Sequence, residues 1–457
     1  MSSGPSQTLL RTAGPNEAPI DLSAVPCPGE HGSLAEWLMY LEQLHPKTIA
    51  MGLERVARVL SRLALRPNCP IFTVGGTNGK GSICGMLESM LHASGYRVGL
   101  YTSPHLLRYN ERVRIARVPA TNAELCRAFA EVERARGETP LTYFEFGTLA
   151  AMIVFLRARL DAVILEVGLG GRLDAVNAFD CDVAVISSID LDHMDYLGDT
   201  RGKIAFEKAG IFRHGKPAVV AEPDCPKPMI DHADELGVRL LLINRDFDCS
   251  GNGIQWRYRG PRGTRGGLPY PALRGEHQLL NASAAITALD ELRDQLPVSM
   301  LDIRRGLLET DVPGRFQVLP GRPTVILDVA HNPHAAQSLA ANLERMGPFR
   351  ETIAVFGMLR DKDIAGVVAA VKGQITRWLL ADIREHRGAT AAQLREALEA
   401  AGAAGGITAF ESAGAAFSEA CRTASVNDRI LVFGSFLTVA QALRERNRND
   451  AKERASG

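Results

Sequence analysis

The stretch FTVGGTNGKGS, Phe72 to Ser82, constrains the fold of this chain more than any other. Before it, Pro70 to Val74 is an apolar run that stops at glycines, as a buried strand does. After it, Ile83, Met86, Leu87, Met90 and Leu91 recur at helical spacing until Gly95. Strand, glycine loop and helix in that order suit an anion. Small residues let backbone N–H groups converge on it, and the helix N-terminus adds positive potential. Lys80 supplies a point charge for β- and γ-phosphates. A glycine-rich βα turn with an incidental lysine is the competing reading, and the strand-loop-helix context outweighs it. Gly76, Thr77, Asn78, Gly79, Lys80, Gly81 and Ser82 are therefore read as a nucleotide phosphate loop. The usual pattern G-x-x-x-x-G-K-[ST] is nonetheless broken, because Val74 stands at the first glycine position and Gly81 separates Lys80 from Ser82.

The displaced Ser82 leaves magnesium short of a ligand, and that ion takes only one or two oxygens from protein. Ser103 follows a predicted strand at Arg97–Tyr101, and Glu166 ends another at Asp161–Leu165. In an open α/β sheet such strand ends converge on one crevice. A further buried strand is predicted at Asp182–Ile186, and Thr121 with Glu124 reads as a capping box.

Helical pattern follows from Glu276 to Leu307, interrupted near Pro297, and strands then recur at Thr324–Leu327, Thr352–Phe356, Trp378–Ile383 and Ile430–Phe433. The expected fold class is α/β, a P-loop-type mainly parallel sheet domain followed by a smaller Rossmann-like α/β domain. Residues 1–32 read as a disordered leader, 33–312 as the ATP-binding domain and 313–457 as the second domain, with a solvated helix end after Leu443.

Lys+Arg and Asp+Glu are equal at 52 each, which argues against a broad electrostatic footprint for nucleic acid or an anionic membrane. None of the eight cysteines forms a C-x-x-C pair, so reduced thiols in a cytoplasmic enzyme are expected. Residues 250–270, rich in glycine and arginine, read as a surface hairpin and loop in preference to an RNA-binding segment.

GTNGKGS is followed by YTSPHL (Tyr101–Leu106), ERVRI (Glu111–Ile115), LEVGLGGRLDAVN (Leu165–Asn177), DLDHMDYLG (Asp190–Gly198) and EKAGIFR (Glu207–Arg213). Then come PGRFQV (Pro313–Val318), LDVAHNPHAA (Leu327–Ala336), GMLRDKDI (Gly357–Ile364) and FGSFLTVA (Phe433–Ala440). From Ser33 to Leu443 the chain thus resembles the folylpolyglutamate synthase and dihydrofolate synthase family, relatives of the Mur ligases.

The resemblance implies an ATP-dependent ligase that adds L-glutamate to dihydropteroate and to reduced folates through an acyl phosphate. It implies that Ser103, Glu166 and His193 hold magnesium, two ions in all, and that Lys208 is carbamylated. On the residues alone, His193 is a packing histidine and Lys208 with Glu207 a solvated pair. Asn281, Arg315 and Asp328 correspond to ATP contacts, with Asn281 at the adenine end. Asn281 also reads as a capping or core-facing amide, and Arg315 equally as an interdomain salt bridge.

His331 and Ser435 correspond to loops near the incoming glutamate, though Asn332–Pro333 behind His331 also reads as a plain turn. Gln43, Leu44, His45, Thr142, Leu173, Asp174 and Ala175 match a dihydropteroate pocket, with Phe144 as an aromatic wall or a core residue. The family's I-D-L-G-L is replaced by Ile49-Ala50-Met51-Gly52-Leu53, which bears on substrate preference. A monomer acting on small molecules, with neither nucleic acid nor membrane as partner, is the family expectation. Three alternatives are weighed against it: a Mur-type peptide ligase, a folylpolyglutamate synthase without the second activity, and a slow nucleotide-hydrolysing regulator. The Mur-type reading calls for a further amino-terminal domain, and about seventy residues precede the phosphate loop.

Overall fold

The computed structural model describes residues 26–29, 31–45, 47, 49–403 and 405–456, with side chains described as far as 451. Most of the expected leader lies outside the described residues. The first helix, Leu34–Gln43, starts at a Ser33 and Glu36 capping box.

The larger sheet contains β1 (Ile71–Gly75), β2 (Val98–Tyr101), β3 (Val113–Ile115), β4 (Val118–Pro119), β5 (Ala162–Glu166), β6 (Val183–Ile186), β7 (Pro217–Val220) and β8 (Arg239–Leu242). Their order is β4-β3-β2-β5-β1-β6-β7-β8. The pairs β2–β5, β5–β1, β1–β6, β6–β7 and β7–β8 are parallel, whereas β2–β3 and β3–β4 at one edge are antiparallel. Every residue of β1 and β5 is buried, because helices cover both faces. Helices Lys80–Ala93 and His277–Glu291 pack on one face. Asn122–Arg136 and Tyr143–Arg157 pack on the other. The predicted Thr121 capping box is present. Register pairs Val74 with Glu166, so β5 ends beside the phosphate loop.

Residues 250–270 form more than a surface hairpin. β9 (Asp248–Gly251), β10 (Gln255–Gly260) and β11 (Gly263–Pro269) make a separate antiparallel sheet. Its inner face carries Trp256 and Tyr258, both buried in the core beneath helix His277–Glu291. Trp256 Nε1 donates to the Pro269 carbonyl at 2.8 Å, and Tyr258 Oη lies 2.9 Å from Thr287 Oγ1. Arg259 pairs with Asp248 and Arg265 with Asp290, so these cations are held within the protein. The two-residue alternation of Trp256 and Tyr258 was the strand signal, and the surrounding glycines obscured it. Trp256→Ala is expected to destabilise the protein by about 3–5 kcal/mol; a shift of the urea midpoint to lower concentration measures it.

The second sheet is β12 (Gln317–Leu319), β13 (Thr324–Asp328), β14 (Thr352–Phe356), β15 (Arg377–Ala381), β16 (Gly406–Phe410) and β17 (Arg429–Phe433), ordered β12-β13-β17-β14-β15-β16. All its pairs are parallel except β12 with β13. β13, β14, β15 and β17 were expected from the sequence; the edge strands β12 and β16 were not. The chain closes with helix Phe436–Ser456.

Candidate active site

The carboxyl ends of strands from both sheets open on one cavity of about 870 Å³. On the first sheet the phosphate loop is held by the segment just after β6: Thr77 N donates to Ser188 O at 2.7 Å and Asn78 N to Ser188 Oγ at 3.0 Å. Gly79 has φ 94°, and a Cβ there would stand 2.7 Å from Asn281 Oδ1, so glycine is required. Lys80 Nζ folds back to the carbonyls of Gly76 (3.1 Å) and Thr77 (3.2 Å). Ser82 is buried beneath the loop within reach of Gln278 Nε2 at 3.4 Å. Asn281 abuts Gly79 and donates through Nδ2 to Gln278 Oε1 at 3.0 Å, placing its amide against the phosphate loop.

Glu166 is only 3% exposed, and Ser103 N donates to its Oε2 at 3.0 Å. Burial raises its pKa, against the opposing charge of Lys80. These two residues meet as their strand ends predicted. Lys208 is also 3% exposed and faces the same cavity. Burial, together with the Lys80 charge, pulls its pKa down to about 7. The solvated Glu207–Lys208 pair inferred from the residues alone does not form, since Glu207 bonds Arg172 at 2.8 Å instead. Adjacent helical residues point in different directions, so Glu207 turns outward as Lys208 turns in.

His193 adopts φ 51° at the start of a short helix, and burial pulls its pKa down to about 4. Its Nε2 lies 3.4 Å from Lys362 Nζ, a residue of the second domain. Lys362 also donates to Asp192 Oδ1 at 2.5 Å, and His331 Nε2 stands 3.7 Å from Asp192 Oδ2. Burial alone would raise the Asp192 pKa, but His331, His193 and Lys362 hold it well below the usual carboxylate range. A second cross-link joins the phosphate loop to the LDVAHNPHAA segment. Asn78 Nδ2 donates to Asn332 Oδ1 at 3.2 Å, and Asn332 Nδ2 returns the bond to Asn78 Oδ1 at 3.0 Å. Asn332 also caps helix Pro333–Arg345, so the plain-turn reading was incomplete. Sequence reasoning missed Asp192 and Lys362, because a lysine inside DKD reads as a solvated charge.

Arg315 lines the cavity over the Phe436 ring at 5.2 Å, with Nη1 enclosed and unbonded. It makes no salt bridge among the described residues, so of its two readings the phosphate contact is the one left open. Asp328 accepts from Phe316 N and Ala330 N, each at 2.8 Å, and so fixes the backbone on both sides of itself. Ser435 Oγ accepts from Thr438 N at 3.0 Å at the mouth of the closing helix.

The dihydropteroate candidates are placed differently. Gln43, Leu44, His45, Thr142, Leu173, Asp174 and Ala175 do not line this cavity; Gly168, Leu169 and Gly170 do. Thr142 caps helix Tyr143–Arg157, and Asp174 Oδ2 accepts from Leu169 N at 2.8 Å. They support the wall from behind. Phe144 packs on Gly168, and Met51 reaches within 3.6 Å of where a Cβ of Gly170 would stand. The changed residue Met51 therefore adjoins this loop.

Among the described residues no three His, Cys, Asp or Glu side chains cluster as a metal cage. The set Ser103, Glu166 and His193 supplies few protein ligands, which fits a magnesium whose remaining oxygens come from phosphate and water.

Residues 74–289 match the Mur ligase middle domain, and residues 314–436 match the Mur ligase glutamate ligase domain. The dihydrofolate synthase/folylpolyglutamate synthase of Escherichia coli K12 is 48% identical over 412 residues, covering 90% of this chain and 94% of that protein. That of Mycobacterium tuberculosis is 32% identical over 393 residues, covering 79% of this chain and 80% of the relative. The structure of E. coli FolC in complex with DHPP and ADP superposes with a TM-score of 0.88 at 46% identity, covering 93% of this chain and 100% of FolC. A bifunctional folylpolyglutamate synthase/dihydrofolate synthase with Mn, AMPPNP and L-glutamate bound gives 0.85 at 46%, with coverage of 93% and 100%.

Proposed function

Because this chain belongs to the dihydrofolate synthase/folylpolyglutamate synthase family of Mur ligases, we propose that it joins L-glutamate to dihydropteroate and to reduced folates, using ATP. The observation that carries the reading is the single cavity in which the phosphate loop and Glu166 of one sheet face His331 and Lys362 of the other. A carboxylate at neutral pH is a poor electrophile. Its oxygen must first attack the γ-phosphorus, forming a P–O bond as the bond to ADP breaks. The free amine of glutamate then attacks the acyl carbon, and phosphate leaves with its electron pair. Lys80 and Arg315 neutralise phosphate charge, and the Asp192–Lys362 and Asn78–Asn332 links keep the two sheets facing each other while water is excluded.

Magnesium, held by Ser103, Glu166 and His193, would neutralise the β- and γ-phosphate oxygens when bound. A carbamylated Lys208 would add a carboxylate beside it. Asn281 and Asp328 fit as ATP contacts, and His331 with Ser435 as contacts for glutamate. Gln43 to His45, Thr142 and Leu173 to Ala175 are assigned to the pterin side. The phosphate-loop unit is taken to end at residue 312 and the glutamate-ligase unit to begin at 313. A monomer acting in the cytoplasm is part of the same reading; among the described residues no helix is long and apolar enough to cross a membrane.

The test is ATP-dependent phosphate release at saturating glutamate, with dihydropteroate and tetrahydrofolate supplied separately. Turnover with both is expected. Turnover with tetrahydrofolate alone restricts the enzyme to polyglutamylation and implicates the Ala50-Met51 change. Silence with both rejects the reading.

A further inference from the structure

Arg112 is a cation without an anionic partner in the wall of the ligase cavity. Its guanidinium carbon lies 5.4 Å from the ring centroids of both Tyr109 and Tyr143. Its Nε donates to His105 Nδ1 at 2.9 Å, and its backbone carbonyl accepts from Thr102 N at 2.9 Å. These contacts fix the group, Tyr101 adds a side-chain hydrogen bond, and no carboxylate forms an ion pair with it among the described residues. The neighbouring Glu111 makes no ion pair with it among the described residues, and its carboxylate instead accepts from the N–H groups of Leu106, Leu107 and Arg108. Arg444 lines the same cavity and also lacks an ion pair among the described residues. This wall therefore presents positive charge without an ion pair of its own, and the buried Glu166 carboxylate is the anion in the cavity that feels the charge of Arg112.

Position narrows what that charge is for. On one side Arg112 follows the Ser103–His105 turn, whose Ser103 N is bonded to Glu166. On the other is Tyr143, at the start of the helix whose Phe144 ring packs on Gly168. Arg112 thus stands between the place of phosphate transfer and the aromatic wall assigned to the pterin side. A rigid guanidinium fork matches a carboxylate through two parallel N–H···O bonds, which a lysine cannot reproduce.

We propose that Arg112 receives the carboxylate of the acceptor substrate, the group that takes the γ-phosphate. This inference rests on the ligase reading above and names the residue that sets its acceptor geometry. Carboxylate and γ-phosphate are both anions. Arg112 offsets their repulsion and aims one carboxylate oxygen at phosphorus while the other stays on the fork. The oxygen lone pair forms the new O–P bond, and ADP departs with the electrons of the old one.

The experiment is equilibrium binding to the full-length protein with ADP present, so that nothing turns over. The two probes are dihydropteroate and its descarboxy analogue, which keeps the pterin and aniline rings. The unmodified protein is expected to prefer the carboxylate form by about 10-fold or more. Arg112→Met is expected to abolish that preference and leave the descarboxy analogue within about twofold of its original affinity. Arg112→Lys should keep part of the preference, because the charge remains and the fork is lost. Retained ADP binding shows that each variant is folded. The assignment is overturned if Arg112→Met still discriminates, or if it weakens both probes equally and so acts as part of the pocket wall. Equal binding of both probes by the unmodified protein overturns it as well. Binding of neither probe by the unmodified protein rejects the folate-ligase reading itself.

Discussion

Replacing Lys208 with methionine is expected to lower glutamate-dependent ATP cleavage by about 10²–10³-fold while leaving the protein folded. Lys208 is buried beside the cavity, and its pKa of about 7 is set by burial and by the charge of Lys80. A depressed lysine pKa means that the neutral amine predominates above that pH. Only the neutral amine can attack carbon dioxide, forming a C–N bond and releasing a proton. The product is an anion where a cation stood, next to Lys80 and the proposed metal ligands. The sign of the pH dependence follows. As pH falls below about 7 the ammonium form takes over, carbamylation is lost, and the rate falls with it.

Intact mass in bicarbonate buffer should show one added carbon dioxide at pH 8, absent from Lys208→Met and from protein stripped of carbon dioxide. Lys208→Arg keeps a cation that cannot be carbamylated and should be as slow as the methionine variant. A near-normal rate for Lys208→Arg would show that a buried positive charge suffices and that the modification is not needed.

The legibility of this chain in sequence follows physical lines. Parallel strands buried on both faces, such as Phe72–Val74 and Ile430–Phe433, announce themselves as short apolar runs, and all those predicted are present. Edge strands carry a weaker signal: Gly406–Phe410 is mostly exposed, so no apolar run marks it. The phosphate loop, Ser103 and Glu166 were readable because strand ends in an open sheet converge. Pairings across the cleft were not readable. The Asp192–Lys362 contact spans 170 positions of sequence and the Asn78–Asn332 contact 254. No local periodicity encodes contacts at that range. The inward turn of Lys208 likewise depends on which face of helix Arg201–Ala209 meets the sheet, and its neighbour Glu207 gave the opposite impression.

Glu166→Gln is expected to reduce ligase turnover by about 10³-fold and to remove most of the gain in ATP affinity that magnesium provides. Glu166 is a buried carboxylate whose burial favours the neutral acid, opposed by Lys80, the Ser103 N–H and Arg315. A carboxyl in that position needs a cation to stay ionised, and a divalent ion between it and the phosphates is the strongest one the proposed reaction supplies. Glutamine has nearly the same shape and can still accept the bond from Ser103 N, so the Ser103 turn and the end of β5 should hold. What it loses is the charge. Titrating ATP with and without magnesium separates the two effects. The variant should bind ATP alone at least as well as the parent, because one negative charge near the phosphates is gone. Adding magnesium should then help it little. If magnesium tightens ATP binding equally in both proteins, Glu166 does not hold the metal. The carboxylate would then serve only to fix Ser103, and the ligands of the metal would have to be sought elsewhere in the cavity.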